Sequence, residues 1–195
     1  ILVTIFSICL IEKNKAGVIT DATNSFKSGN YTEAVDLFQK AINGSKSDWK
    51  KAELNLGLGA SAFKINNFDI AASAFGSALL SNNPSIQETA YYNLGNSLYR
   101  KGENELKNSS SETKKDKRPS VQDVITDWEG AIENYESTLG LNQNNANAKH
   151  NLEVVRRKLE ELKDQENQEQ ENQDQENQDQ QNQDQENQDQ ENQDQ

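Results

Sequence analysis

Tyr92, Asn96 and Arg100 stand at intervals of four in "YYNLGNSLYRKGE" (91–103), which places three side chains on one face of a helix. The set suits recognition rather than catalysis. An asparagine amide holds a peptide backbone through donor and acceptor together, and a guanidinium pairs with a carboxylate. No catalytic constellation accompanies them. His150 is the only histidine and lies between Lys149 and Asn151, a setting for a solvated side chain rather than a base or ligand. Cys9 is the only cysteine, so neither a disulfide framework nor a thiolate metal site can be assembled. Nucleophile elbow, phosphate loop and metal-ligand spacing are absent from the sequence, and no enzyme activity, metal or cofactor is expected.

The charge is segregated. Of 195 residues with a net charge of -12, residues 164–195 hold 12 Asp and Glu and no Lys or Arg, while the remainder carries 20 acidic and 20 basic residues. A neutral body offers no electrostatic footprint for nucleic acid, and an acidic tail repels phosphates, so nucleic-acid binding is not expected. The chain holds no Met and opens on "ILVTIFSICLI", so a start upstream of Ile1 is expected. That apolar run has the length of a signal-peptide core and is too short to span a bilayer by itself. Residues 1–14 are expected to be a truncated signal peptide or N-terminal membrane anchor. The sequence does not decide between them, because no small-x-small cleavage site precedes Ala16-Gly17.

The elements that must position the trio repeat. "SFKSGNYTEAVDLFQKAI" (25–42), "AFKINNFDIAASAFGSAL" (62–79), and "SLYRKGE" (97–103) joined to "DWEGAIENYESTL" (127–139) each pair an aromatic with a basic residue, then open a second helix. In that helix a small residue precedes an aromatic by four: Ala34 and Phe38, Ala71 and Phe75, Ala131 and Tyr135. Gly29-Asn30 and Asn66-Asn67 mark the turns, and Lys101-Gly102 is read as the corresponding stop. Small residues let two helix backbones approach, and the aromatic one turn on fills the space, so each unit predicts a helical hairpin. Gly59 and Gly95 recur mid-helix at a cost of about 1 kcal/mol relative to alanine, which points to close packing.

This pattern resembles the tetratricopeptide repeat (TPR): W-x2-L-G-x2-Y, then A-x3-F, then A and P. Tyr91, Leu94, Gly95 and Leu98 match the first helix of the third unit, Ala131 and Tyr135 its second, and Pro84 closes the second unit. The first unit has Asp21-Ala22 where Leu-Gly is usual, and Thr138 replaces a late alanine. The resemblance implies an all-α TPR solenoid over residues 15–163, with three hairpins at about 15–48, 52–85 and 88–145.

Residues 103–126 read as an insertion in the third hairpin, with a polar, mobile middle that either contacts a partner or is a tolerated surface loop. From Ser120 and Asp123, spaced as a capping box, Val121, Val124, Ile125, Trp128, Ile132, Tyr135 and Leu139 form one stripe. A capping helix (146–163) is expected to seal the stack with Ala148, Leu152, Val155, Leu159 and Leu162. The ENQDQ pentads that follow fit no helical period and offer nothing apolar to bury, so 164–195 is expected to be a disordered tail, either a spacer or interaction segment or a repeat expansion without specific role.

In the family's register the concave groove takes Ile19, Thr23, Phe26 and Lys27, then Leu56, Ala60, Phe63 and Lys64, then Tyr92, Asn96, Tyr99 and Arg100. The binding residues so implied are Phe26, Lys27, Phe63, Lys64, Tyr92, Asn96, Tyr99 and Arg100. In chaperone-binding relatives such residues form a carboxylate clamp, here incomplete because Ile19 and Thr23 replace the usual Lys and Asn. The layout from export segment through "AKHNLEVVRRKLEEL" to a polar tail is similar to the TPR proteins of bacterial Bat (aerotolerance-type) operons. That resemblance implies a non-catalytic envelope scaffold, periplasmic or membrane-anchored, acting beside von Willebrand A-domain membrane proteins and a MoxR-type ATPase. The alternatives are a cytosolic TPR co-chaperone adaptor, or a structural or surface protein acting through its acidic tail.

Overall fold

A computed structural model describes residues 17–109 and 121–193, which form helices and connecting turns. The helices are α1 (17–27), α2 (Tyr31–Gly44), α3 (Asp48–Lys64), α4 (Phe68–Ala78), α5 (Pro84–Ser109), α6 (Val121–Leu141) and α7 (Ala146–Gln193). Cys9, Ser120 and the middle of the expected insertion lie outside the described residues. Two compact units divide the chain, the first reaching Arg156 and the second starting at Arg157.

Within the first unit, turns of a few residues join α1 through α5 and α6 to α7, α6 lies antiparallel to α5 with Asp127 beside Lys101 and Tyr135 beside Asn96, and one turn design appears twice. Gly29 and Asn66 both adopt positive φ (81° and 58°), the left-handed conformation that reverses a chain after a helix. Asn30 and Asn67 then donate backbone N–H groups to Ser25 and Ala62 carbonyls at 2.8 and 2.9 Å. On either side of these turns Phe26 meets Tyr31 and Phe63 meets Phe68, each pair edge-on with centroids 5.4 Å apart. Equal geometry in two hairpins is the repeat made visible. The tight turn forces the helices together, and the aromatic pair packs across the turn end of each hairpin.

The core forms where small residues face aromatics. Ala22, Ala34, Phe38, Ala41, Leu54, Leu58 and Ala74 make one cluster, and Ala62, Ala71 and Phe75 another. Val124, Ile125, Trp128, Ala131 and Tyr135 are buried on α6. Fully burying a side chain of this size contributes about 2–3 kcal/mol relative to exposure. Thr138 is also buried, and its hydroxyl donates to the Asn134 carbonyl at 2.8 Å, so an alanine position tolerates a polar residue. At the start of α7, Ala148, Leu152 and Val155 are buried, and Arg156 is paired with Glu136 of α6.

Lys101-Gly102 does not end its helix. α5 continues through Gly102 to Ser109, so the first seven residues of the expected insertion are helical. The reason is packing. A Cβ at Gly102 would lie 2.5 Å from Trp128 Nε1, so the glycine makes room for an indole while keeping helical geometry. Glycine at a helix end and glycine under a large neighbour look alike in sequence.

In the second unit α7 runs on as helix to Gln193. No apolar residue follows Leu162. A helix with nothing to bury rests on backbone hydrogen bonds alone and is marginal in water, which is compatible with a tail that lacks a fixed fold.

Candidate functional site

Asn96 on α5 lies at the junction of three helices. Its Oδ1 accepts the Tyr135 hydroxyl of α6 at 2.8 Å and the Asn151 amide of α7 at 2.9 Å. Two donors fill the carbonyl's two lone pairs, which fixes the orientation of the amide. Its Nδ2 makes no hydrogen bond among the described residues and is the part of the side chain available to a ligand. Burial raises the Tyr135 phenol well above the ordinary tyrosine value, so it remains a proton donor throughout the physiological range.

Beside Asn96 opens a cavity of about 200 Å³, lined by Phe63 of α3, Asn96, Tyr99 and Arg100 of α5, and Asn151, Val154 and Val155 of α7. Every lining residue belongs to an odd-numbered helix, so the cavity lies on the inner face of the stack. Its lining is mainly apolar, from Phe63, Tyr99, Val154 and Val155, with Asn96, Arg100 and Asn151 supplying the polar groups. The Tyr99 hydroxyl donates to Glu103 at 2.6 Å, and its backbone carbonyl also receives the Trp128 indole N–H at 3.2 Å. These contacts hold the last turns before Glu103 rigid. The Arg100 guanidinium lies over the Phe68 ring at 5.8 Å, with Nε 3.8 Å from Glu103, and its side chain remains about half exposed. The ring and the Glu103 carboxylate both attract the guanidinium, while its half-exposed side chain remains reachable from solvent.

Four of the eight residues read as groove-facing meet here: Phe63, Asn96, Tyr99 and Arg100. The other four do not line this cavity. Phe26 packs against the first core cluster, and Lys27 and Lys64 are exposed. Tyr92 lies 6.1 Å from the Tyr135 ring, with its hydroxyl 3.5 Å from Asn151, and is therefore covered by α6 and α7. The i, i+4, i+8 trio is thus split: its lower member packs, and its upper two face the cavity. Asn151 was not signalled by the sequence, because its neighbour His150 is exposed and polar positions on α7 look alike.

A second cavity of about 360 Å³ is lined by Ile65, Asn66, Asn67, Phe68, Asp69, Lys101, Asn104 and Glu105. Lys101 Nζ lies 3.1 Å from Asp127, 3.7 Å from Asp69 and 3.9 Å from Glu105, so one ammonium serves three carboxylates. Among the described residues Glu105 Oε2 has no hydrogen-bond partner, and Asp127 Oδ2 has only the 3.1 Å ion pair with Lys101, whose hydrogen bond goes to Oδ1 at 3.2 Å. Burial raises both carboxyls above their ordinary value. Burial alone lowers Lys101, but its hydrogen bond to Asp127 and the surrounding negative charge raise it on balance. The arrangement ties α4, α5 and α6 together. Among the described residues no group of three or more His, Cys, Asp or Glu is arranged to hold a metal, and no helix is long and apolar enough to cross a membrane.

A scan against protein-family models finds no match, and no curated protein matches the sequence. Solved structures do match. The first TPR domain of human RPAP3 aligns with a TM-score of 0.55 at 19% identity, covering 77% of this chain and 95% of that domain. The second TPR domain of the same protein, solved with the HSP70 peptide SGPTIEEVD, aligns with a TM-score of 0.55 at 16% identity, covering 75% and 98%. The chain therefore has the fold of a TPR domain: an all-α solenoid of three helical hairpins and a further C-terminal helix.

Proposed function

We propose that the chain is a non-catalytic interaction scaffold that holds an extended peptide segment of a partner protein against the inner face of α3, α5 and α7. The cavity beside Asn96 carries this reading. It offers apolar contacts from Phe63, Val154 and Val155, an amide donor from Asn96 and the guanidinium of Arg100, 5.8 Å from the Phe68 ring. An apolar side chain of the peptide enters the cavity, its backbone carbonyl accepts from Asn96 Nδ2, and an acidic group displaces Glu103 at Arg100. The peptide bound to the second RPAP3 domain supports this use of the fold.

The resemblance to Bat-operon TPR proteins supports a finer reading, in which the scaffold works in the bacterial cell envelope, exported or anchored through its N-terminus, and its partner is a von Willebrand A-domain membrane protein. The test is capture from detergent-solubilised bacterial membranes with the full chain and with Arg100→Glu, a half-exposed position whose change leaves the core intact. Retention of such a membrane protein by the parent and its loss from the variant is expected. Identical retention by both rules out the cavity. Capture of cytosolic chaperones alone, in the manner of the peptide-bound RPAP3 domain, replaces the envelope reading with the co-chaperone reading.

A further inference from the structure

The antiparallel order sorts the chain into two edges. The N-termini of α1, α3, α5 and α7 share one of them, with the turns after α2, α4 and α6. The three most exposed large apolar side chains all lie on that edge: Trp49 at the start of α3 (59% exposed), Leu80 after α4 (87%) and Leu141 at the end of α6 (44%). They come from three separate connections. Chance burial failure in one loop does not account for a row that recurs in each connection between a second helix and the next first helix.

The surroundings of the row are specific too. Trp49 is flanked by Lys46, Lys50 and Lys51, and the Lys50 ammonium lies 5.5 Å from its ring. Asp48 opposes them but is 3.4 Å from Lys51. The rest of the edge is Ser and Asn rich, in "SNNPS" (81–85) and "NQNNAN" (142–147). On the opposite edge Ile65, Ile70 and Val121 are less exposed and stand among the carboxylates of Asp69, Glu105 and Asp123. Both edges carry lysine, but only on the first does a half-exposed tryptophan stand directly among lysines, with the acidic Glu88 there taken up by hydrogen bonds from Asn142 and Asn145. Tryptophan with lysine and neutral polar residues is the composition of a membrane–water interface.

The edge is also where the apolar run joins. Residues 12–16 separate Ile11 from the start of α1, a reach of at most about 20 Å even when fully extended. A bilayer that takes up residues 1–11 is thereby held within about 20 Å of the start of α1, which opens on the same edge. We propose that this edge lies on an anionic bilayer surface, with Trp49 and Leu80 in the interfacial layer, so that the inner face of the stack stands away from the membrane and open to a partner. The inference rests on the membrane-directed reading of residues 1–11, and the experiment separates the two.

The full chain is mixed with vesicles of phosphatidylcholine alone and of phosphatidylcholine with phosphatidylglycerol, both with brominated acyl chains. Trp128 is buried, so lipid quenching of tryptophan emission reports Trp49. The expected result is sedimentation with vesicles, more with phosphatidylglycerol, and quenching that Trp49→Phe abolishes. Leu80→Ser with Leu141→Ser, both at exposed positions, is expected to lower the quenching without changing the far-UV circular dichroism. Vesicle binding without Trp49 quenching overturns the edge assignment and leaves the membrane-directed run standing. No binding to either vesicle overturns both. Self-association in the absence of lipid that Leu80→Ser removes, together with unquenched Trp49, makes the edge a protein interface and overturns the proposal.

Discussion

Asn151 of α7 donates its side-chain amide to Oδ1 of Asn96 on α5 at 2.9 Å, and the same oxygen takes the Tyr135 hydroxyl of α6. One acceptor thus joins the last hairpin to the helix that follows it, and does so in the lining of the inner cavity. Helix packing and the proposed recognition share a residue, so the geometry of the Asn96 donor depends on α7 being in place.

Asn151→Ala removes one arm of this junction. A partly buried neutral hydrogen bond contributes about 1 kcal/mol, so the melting temperature is expected to fall by about 3 °C. Partner affinity should fall further than Asn96 stability alone explains, because the freed amide loses its fixed orientation. Thermal unfolding with a binding titration on the same variant checks both. Unchanged affinity in the destabilised variant contradicts the shared role.

The glycines divide by sign. A Cβ at Gly95 would meet Tyr135 Cε1 at 2.9 Å and the Ala131 carbonyl at 3.2 Å, and one at Gly102 would meet Trp128 Nε1 at 2.5 Å. Gly95→Ala and Gly102→Ala are each expected to cost about 2 kcal/mol from overpacking. Gly76 in α4 has nothing within 4 Å of such a Cβ. Gly76→Ala is therefore expected to stabilise by about 1 kcal/mol through helix propensity. Urea midpoints of the three variants test the contrast.

The Lys101 cluster gives stability a pH dependence. Glu105 and Asp127 hold protons more tightly folded than unfolded. Their stabilising contribution is therefore full below the ordinary carboxylate range and declines as pH rises through that range and above it. Glu105→Gln is expected to flatten this decline in urea midpoints measured across it. Lys101→Met at neutral pH leaves the carboxylates uncompensated and should cost about 2 kcal/mol, less than a fully buried pair. Adding Asp127→Asn should recover part of that loss, and failure to recover any contradicts the coupling.

Removal of residues 164–195 tests the tail. Without apolar contacts to lose, the deletion is expected to leave the unfolding temperature and partner retention unchanged. It should remove a helical signal that melts gradually on warming, as expected of a helix without tertiary packing. A deletion that abolishes partner retention makes the acidic tail the active element instead.

Much of the fold was legible because the hairpins use one local rule three times. Ala34 and Phe38, Ala71 and Phe75, and Ala131 and Tyr135 are all buried, as their spacing required. Gly59 and Gly95 sit under Phe75 and Tyr135, as mid-helix glycines in close packing should. Gly102 misled, because a Lys-Gly pair before a polar stretch also describes a helix end, and its partner Trp128 is 26 residues away in sequence. The lining of the candidate cavity was half legible. Asn96, Tyr99, Arg100 and Phe63 follow from register, whereas Asn151 and the convergence of Asp69, Glu105 and Asp127 on Lys101 depend on long-range packing that no local period encodes.

The central claim is that the inner face of the odd-numbered helices is the binding surface. A photoreactive residue placed at exposed Lys64 on α3, and separately at exposed Lys40 on α2, tests it most directly when each chain is loaded with the captured partner and irradiated. The account predicts a cross-link from position 64 that Arg100→Glu suppresses, and little or none from position 40. Cross-linking from position 40 with none from position 64 would contradict it and move the interaction to the outer face.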